Sequence, residues 1–116
     1  MVLLKDIEYK TMLLDYLDEN GLRETTLIIY VGDNGSPHDV CSLVHEHNEI
    51  CGGKGKTADS GTHVPLICSM PGTIPSGSTQ SDMVEATDFL PTMFEATNLS
   101  FPEGFHIDGK SFYSQL

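Results

Sequence analysis

The sequence predicts an α/β fold in which mostly parallel, buried strands are flanked by helices. Apolar residues recur at helical spacing near both ends of the chain, and two short, continuous apolar runs lie between them. Continuous runs rich in β-branched residues are typical of parallel strands that are covered on both faces. With 116 residues, 39% of them hydrophobic, the chain is expected to form one domain over residues 1–116.

Amphipathic helices are predicted near both ends. For the first, apolar residues recur at helical spacing between Val2 and Leu22, and Glu19–Gly21 supply the stop signal because glycine accepts the left-handed conformation that closes a helix. The second is predicted within Asp82 to Thr97, with Pro91 in the first turn of a helix capped near Thr87 or Asp88. The residues expected to face inward are Leu3, Ile7, Leu13, Leu14 and Leu17 in the first helix and Phe89, Leu90, Met93 and Phe94 in the second.

The two predicted strands are Leu27–Val31 and a run within His63–Met70, where Pro65 stands near the start and its missing N–H is tolerated. Ligands are expected beyond the downstream end of a parallel strand. Residues 32–61 show no convincing apolar period and are predicted to form a long loop. Loops of that length in compact domains are usually functional or disordered.

Composition excludes several classes of partner. Six basic and 17 acidic residues give a formal charge of −11, which repels nucleic acid and anionic lipid. No segment approaches the roughly 18 apolar residues of a membrane span, so no membrane partner is expected. The odd number of cysteines, three, allows at most one internal disulfide and leaves at least one thiol.

Asp33 and Asn34 follow the first predicted strand directly. A carboxylate and an amide carbonyl are hard oxygen ligands that suit calcium or magnesium. Asp-Asn-Gly is also a good turn signal, and two ligands do not complete a metal site. Both interpretations stay open on the residues alone.

Lys54 lies in the segment CGGKGKT, which looks at first like a phosphate-binding loop. The nucleotide motif needs a glycine five positions before Gly55, where the chain has Ile50, so a nucleotide site is rejected. The glycines on either side of Lys54 add no bulk, and its ammonium could reach a tetrahedral anion. The alternative is a mobile, solvated loop.

A zinc site is a weaker hypothesis. Cys41, His45, His47 and Cys51 are zinc-ligand types within eleven residues. Their spacing fits no common zinc motif, and Glu49 stands where a metalloprotease signature has its second histidine. Loop histidines exposed to solvent are the favoured interpretation.

Three segments read together resemble the later part of the catalytic domain of sulfatases, within the alkaline phosphatase superfamily. The resemblance covers nearly the whole chain, as the C-terminal segment of such a domain. The first two segments are LLDYLDENGLRETTLIIYVGDNG and GGKGKTADSGTHVPLICSMPGTIPSGS. The third combines ATDFLPTMFEATNL, in the region of the second predicted helix, with IDGKSF in the tail.

The resemblance implies roles for three residues. It assigns Asp33 and Asn34 to a divalent cation, usually calcium, and Lys54 to contact with the sulfate group of the substrate, as the catalytic lysine. Lys56 falls where the family has no fixed requirement. His63 departs from the family pattern, which has Gly-x-Arg or a similar sequence before the proline strand.

The family's nucleophile is not in this sequence. Sulfatases carry a cysteine or serine in a Cys/Ser-x-Pro/Ala-x-Arg context, the cysteine being oxidised to formylglycine, and none of Cys41, Cys51 and Cys68 lies in that context. The early aspartate pair and the middle histidine and lysine residues are also missing. We therefore expect sulfuric ester hydrolysis by the complete parent enzyme and inactivity of this chain alone.

Two alternatives remain. One is a non-catalytic interaction or scaffold fragment, since exposed sheet edges favour self-association. The other is a phosphoester hydrolase of the same superfamily, because a lysine and a divalent cation suit phosphate nearly as well as sulfate.

Overall fold

A computed structural model of the chain describes the backbone of residues 3–44 and 48–116 and the side chains of 11–43 and 49–116. In chain order the main elements are α1 (Leu3–Glu19), β1 (Ile28–Val31), β2 (Cys41–Val44), β3 (Asn48–Cys51), α2 (Asp59–Thr62), β4 (Leu66–Ser69) and α3 (Phe89–Ala96). One compact unit comprises Met1–Leu27 with Ser69–Leu116, and the other is Ile28–Cys68. A single domain over residues 1–116 stays a prediction.

The strands form two pairs, β1 with β4 and β2 with β3. The β2–β3 pair is antiparallel. Beyond β1, the Gly32 amide donates to the Pro65 carbonyl at 3.0 Å, so the end of β1 lies beside the start of β4 and this pair is antiparallel too. The α/β content is confirmed, but the described residues do not support mostly parallel strands. An apolar run indicates how a strand is covered, not the direction of its neighbour.

Burial of the first strand is also less than predicted. Ile28 and Ile29 are half-buried, whereas Tyr30 and Val31 are each 43% exposed. In β4, Ile67 is 58% exposed. The strands therefore present apolar side chains to solvent in this chain.

The prediction of a long loop over residues 32–61 was wrong. This segment contains β2, β3 and α2, and a disulfide joins Cys41 to Cys51 while Cys68 is free. The cysteine count correctly limited the chain to one internal disulfide. Four-residue strands of mixed polarity are too short to show a period of two, which is why sequence periodicity missed them.

Helix α1 ends where the sequence predicted. Gly21 has φ 65°, and the Leu22 amide donates to the Leu17 carbonyl at 2.8 Å, which closes the last turn. Leu17 is buried as expected and Leu14 is half-buried, but Leu13 is 52% exposed. The expectations for Leu3 and Ile7 fall outside the described side chains. No helix in the described residues is long and apolar enough to span a membrane.

Helix α3 is shorter than predicted, and a 3-10 turn at Ala86–Asp88 precedes it. Pro91 is in the first turn, as expected. Phe89 and Phe94 are half-buried, but Leu90 and Met93 are 40% and 46% exposed, so half of the predicted inward face was wrong.

The fully buried side chain of α3 is Thr92, which links the helix to the tail. Its Oγ1 donates to the Asp88 carbonyl at 2.7 Å and accepts from the Phe112 amide at 3.0 Å. The rings of Phe89 and Phe112 meet edge to face at 5.8 Å. One buried hydroxyl thus satisfies two backbone groups at the contact between α3 and the tail.

The Asp88 carboxylate makes a second link to the same tail. It accepts hydrogen bonds from the Glu85 amide at 3.0 Å and from the Lys110 amide at 2.8 Å. These two backbone donors lower the pKa of Asp88, with a further small contribution from the positive charge of Lys110.

Replacing Thr92 by valine should lower the free energy of unfolding of the unit that contains α1 and α3 by about 1–3 kcal/mol, because the buried Phe112 amide loses its acceptor. Thr92→Ser should retain most of the stability. The matched control is Thr97→Val: Thr97 makes the same type of bond, to the Met93 carbonyl at 2.7 Å, but is exposed. Denaturant unfolding followed by circular dichroism measures the difference, and equal losses for the two valine variants would contradict the role of Thr92.

Asp88 should make the free energy of unfolding of the same unit depend on pH in the acidic range. Because its pKa is lower in the folded chain than its ordinary value of 3.8, its contribution is fully present above that value and is lost as pH falls through the folded pKa. We expect Asp88→Asn to unfold more easily than the native chain at pH 6, and the gap to shrink below about pH 4. Asp82→Asn, at an exposed position, should follow the native chain at every pH. A gap that stays constant across the titration would contradict this assignment.

Candidate functional site

The Asp-Asn loop, residues 32–36, follows β1 directly. Asp33 is exposed and Asn34 is half-buried. The Asn34 side-chain nitrogen donates to the Gly35 carbonyl at 3.1 Å. With the nitrogen engaged in this way, the amide oxygen is the atom left for a ligand.

Lys54 belongs to the lysine loop, residues 52–56. Its side chain is exposed, and the turn after it uses Gly55 at φ 82°, a conformation that favours glycine. The Lys54 amide donates to the Ser36 carbonyl at 3.0 Å. Since Ser36 is two residues after Asn34, this bond joins the backbone of the lysine loop to that of the Asp-Asn loop.

Glycines allow a third segment to pack against both loops. The Gly35 amide donates to the Gly61 carbonyl at 2.9 Å, and the Gly53 amide donates to the Ser60 carbonyl at 3.1 Å. A Cβ atom on Gly35 would overlap the Ser60 carbonyl oxygen, and one on Gly61 would overlap the Gly53 and Lys56 carbonyls. Helix α2, which carries Ser60 and Gly61, is therefore in direct backbone contact with both loops.

Gly52, which follows β3, allows a similarly close backbone contact next to the β2–β3 hairpin. Its amide donates to the Val40 carbonyl at 2.9 Å, and its carbonyl lies 2.7 Å from His38 Nδ1, which must carry the hydrogen in this contact. A Cβ atom on Gly52 would overlap the Ser36 and Pro37 carbonyls. The sequence pattern did not indicate the supporting roles of Ser36, His38 and Ser60. The density of glycines was the available signal, because it indicates close backbone contact as well as flexibility.

An open cleft of about 240 Å³ borders the Asp-Asn loop. Asn34, Ser60 and His63 line it together with mainly apolar residues, and of the three predicted site residues Asn34 alone contributes to the described lining. His63, the residue that departs from the family pattern, lies 3.1 Å from Asp59, and both side chains are exposed. Such an exposed pair contributes little stability.

The donor chemistry of the Asp-Asn loop fits a hard divalent cation. A carboxylate oxygen and an amide oxygen are two of the roughly six to eight oxygen ligands that calcium takes. Zinc is a poorer fit at the hairpin, because Cys41 and Cys51, which group with Glu49, are joined in a disulfide and offer no thiolate. His45 and His47, the other proposed zinc ligands, lie outside the described residues.

The free thiol of Cys68 is poorly suited to act as a nucleophile. It is half-buried, and desolvation raises its pKa above the ordinary value. The thiol therefore stays protonated at neutral pH, and the thiolate is the reactive form.

Fold and loop geometry together define an α/β protein in which an acid and an amide follow a strand, in a loop whose backbone is hydrogen-bonded to a glycine-rich lysine loop. The sulfatase family model matches residues 11–99 of this chain. The chain belongs to the sulfatase family.

Curated relatives agree with this assignment. The chain is 29% identical over 99 residues to an arylsulfatase of Hemicentrotus pulcherrimus, covering 85% of this chain and 18% of the relative. It is 34% identical over 100 residues to an ulvan-active sulfatase of Formosa agariphila, covering 86% and 17%. It is 26% identical over 101 residues to human arylsulfatase G, covering 78% and 19%. The chain thus spans less than a fifth of the length of these relatives.

Adding a methyl group at Gly35 should push the Asp-Asn loop away from α2, because the new Cβ meets the backbone of Ser60 and Gly61. We expect Gly35→Ala to shift the amide resonances of Ser60, Gly61 and Lys54 in two-dimensional NMR spectra. Gly55→Ala is the control: its Cβ meets open space, so it should cost about 1–2 kcal/mol for the left-handed conformation yet leave Ser60 and Gly61 unshifted. Unchanged resonances at Ser60 and Gly61 in Gly35→Ala would contradict the close contact.

Proposed function

We propose that this chain supplies part of the catalytic centre for sulfuric ester hydrolysis in a complete sulfatase. The observation that carries the proposal is the 3.0 Å hydrogen bond from the Lys54 amide to the Ser36 carbonyl. This bond brings the backbone of the lysine loop to the Asp-Asn loop, although Lys54 lies 18 positions after Ser36 in the sequence. The proposal also rests on membership of the sulfatase family.

Asp33 and Asn34 would hold the cation, which we propose to be calcium. The remaining ligands would come from other parts of the parent enzyme, because calcium needs more oxygens than these two residues provide. When bound, the cation supplies positive charge to the sulfuryl oxygens of the ester. The carboxylate of Asp33 supplies the full negative charge of the pair, and the hydrogen bond to the Gly35 carbonyl orients the Asn34 amide.

Lys54 would bind the sulfate group directly. Its ammonium is a compact charge on a flexible stem, and its exposed position leaves it accessible to an anion. Charge is redistributed around the reacting sulfur as the ester bond breaks, and an ammonium held beside the sulfate group would help to stabilise that charge. The role that we propose for Lys54 is therefore both binding and catalytic.

The attacking group would come from another part of the parent enzyme. A formylglycine is expected there from the family resemblance, and the sequence motif that would carry it is absent from these 116 residues. Electrostatic groups without a nucleophile stabilise charge but form no covalent intermediate. We therefore propose that this chain alone does not turn over sulfate esters.

Titration of the purified chain followed by NMR tests these roles. In this chain water would take the place of the missing ligands, so calcium chloride at high concentration should shift the amides of Asp33 and Asn34, and inorganic sulfate should then shift Lys54. Asp33→Asn should abolish the calcium response, whereas Asp39→Asn, at an exposed acid of the same unit, should keep it. Lys54→Ala should abolish the sulfate response, and Lys56→Ala, two residues along the same loop, should keep it.

An arylsulfatase assay on the same samples tests the proposed inactivity, with a full-length relative as the positive control. No turnover above buffer is expected. Turnover by the chain would contradict the missing nucleophile, and equal sulfate responses in the two lysine variants would contradict the role of Lys54.

A second candidate function is interaction with another copy of the chain. It is favoured by apolar side chains exposed on both strands of one pair, among them Val31 at 43% in β1 and Ile67 at 58% in β4. Strand edges that expose apolar residues favour association. Light scattering distinguishes the two functions: a stable dimer that responds neither to calcium nor to sulfate would support this second candidate.

A further inference from the structure

The Cys41–Cys51 disulfide closes the β2–β3 hairpin next to the candidate site. The two cysteines face each other in the antiparallel register, and both are exposed to solvent. Cys51 is followed at once by the lysine loop, and Lys54 is three residues further along. A covalent cross-link therefore lies at the point where the hairpin becomes the lysine loop.

Backbone pairing continues from this disulfide to Lys54. The Gly52 amide donates to the Val40 carbonyl at 2.9 Å, so the residues next to the two cysteines are paired. His38 Nδ1 then lies 2.7 Å from the Gly52 carbonyl, and the Lys54 amide donates to the Ser36 carbonyl at 3.0 Å. The disulfide and these three contacts hold the segment from Ser36 to Val40 against the segment from Gly52 to Lys54.

The hairpin needs such support because its strands are short. Both β2 and β3 are four residues long, and an isolated two-stranded hairpin is marginally stable in water. Its exposed residues include Leu43 at 77% and Ile50 at 51%, so burial of apolar surface contributes little to the pairing. A cross-link between residues ten positions apart removes most of the loop-closure cost.

We propose that the Cys41–Cys51 disulfide positions Lys54, and that its reduction by a dithiol frees the lysine loop from the Asp-Asn loop. The two cysteines act through the backbone and touch no substrate. That this loop also carries sulfate affinity rests on the proposed function, but the positioning itself does not. The candidate site would thus be sensitive to redox conditions.

The reduction step balances as an ordinary thiol–disulfide exchange. One thiolate of the dithiol attacks a sulfur of the Cys41–Cys51 bond, which breaks and releases the other cysteine as a thiolate that takes a proton. The second thiolate of the reagent attacks the mixed disulfide, forms an internal disulfide in the reagent and releases the remaining cysteine. Two electrons pass from the dithiol to the protein, and two cysteine thiols result.

Amide hydrogen exchange measured by NMR tests the positioning directly. The chain should carry Cys68→Ser, so that Cys41 and Cys51 are the only cysteines and cannot exchange with a third thiol. Dithiothreitol should make the Gly52 and Lys54 amides exchange about tenfold faster or more. Gly35, bonded to Gly61 in the same unit, and Phe112, bonded to Thr92 in the other, should keep their rates.

A double variant provides the second measurement. Cys41→Ser with Cys51→Ser, in the same Cys68→Ser background, should show the fast exchange at Lys54 without reductant and should not respond to it. Equal exchange at Lys54 in the oxidised and reduced chains would overturn the proposal. A loss of protection that extends to Gly35 and Phe112 would also overturn it, because the disulfide would then support folding in general.

Titration with inorganic sulfate separates this inference from the proposed function. If sulfate shifts the Lys54 amide in the oxidised chain and the shift weakens on reduction, both are supported. If reduction speeds exchange at Lys54 but sulfate has no effect in either state, the positioning role stands and the sulfate contact fails.

Discussion

Close backbone contact between three segments is the constraint on which the candidate site depends. The Asp-Asn loop, the lysine loop and α2 approach so closely that a Cβ atom at Gly35, Gly53 or Gly61 would overlap a neighbouring segment. All three glycines have negative φ, so they are required for their small size and not for an unusual conformation. The contact allows backbone amides and carbonyls to pair directly, and this pairing places Lys54 beside Ser36. The position of the Lys54 backbone is thus set by these contacts, whereas its side chain is exposed.

The charge of the chain shows why such a local arrangement matters. A formal charge of −11 repels an anionic ester at long range. Screening limits that repulsion to about 8–10 Å at physiological salt, so charges close to the bound group dominate its energy. A cation held by Asp33 and Asn34 together with the ammonium of Lys54 would provide positive charge within that distance. The proposed site is thus a small positive region in an acidic protein.

The unit that contains α1 and α3 is held by polar contacts as well as by apolar packing. Thr92 and Asp88 connect α3 to the tail through backbone amides, and Phe112 packs on Phe89 at the same contact. Elsewhere large apolar side chains remain exposed, including Met12 at 62% and Tyr16 at 58% in α1. Each of the contacts made by Thr92, Asp88 and Phe112 joins residues of the same unit.

The residues by themselves determined the features that depend on local chemistry. Gly21 marked the end of α1 and Pro91 marked the first turn of α3. The resemblance that rests on three segments, which contain Asp33, Asn34 and Lys54, was confirmed at the level of the family. The roles of those three residues remain predictions. Only the tertiary structure decided the antiparallel strand pairs, the short hairpin and the partners of the cysteines. The physical reason is range: caps and turns depend on neighbouring residues, whereas strand direction and glycine contacts depend on hydrogen bonds between distant segments.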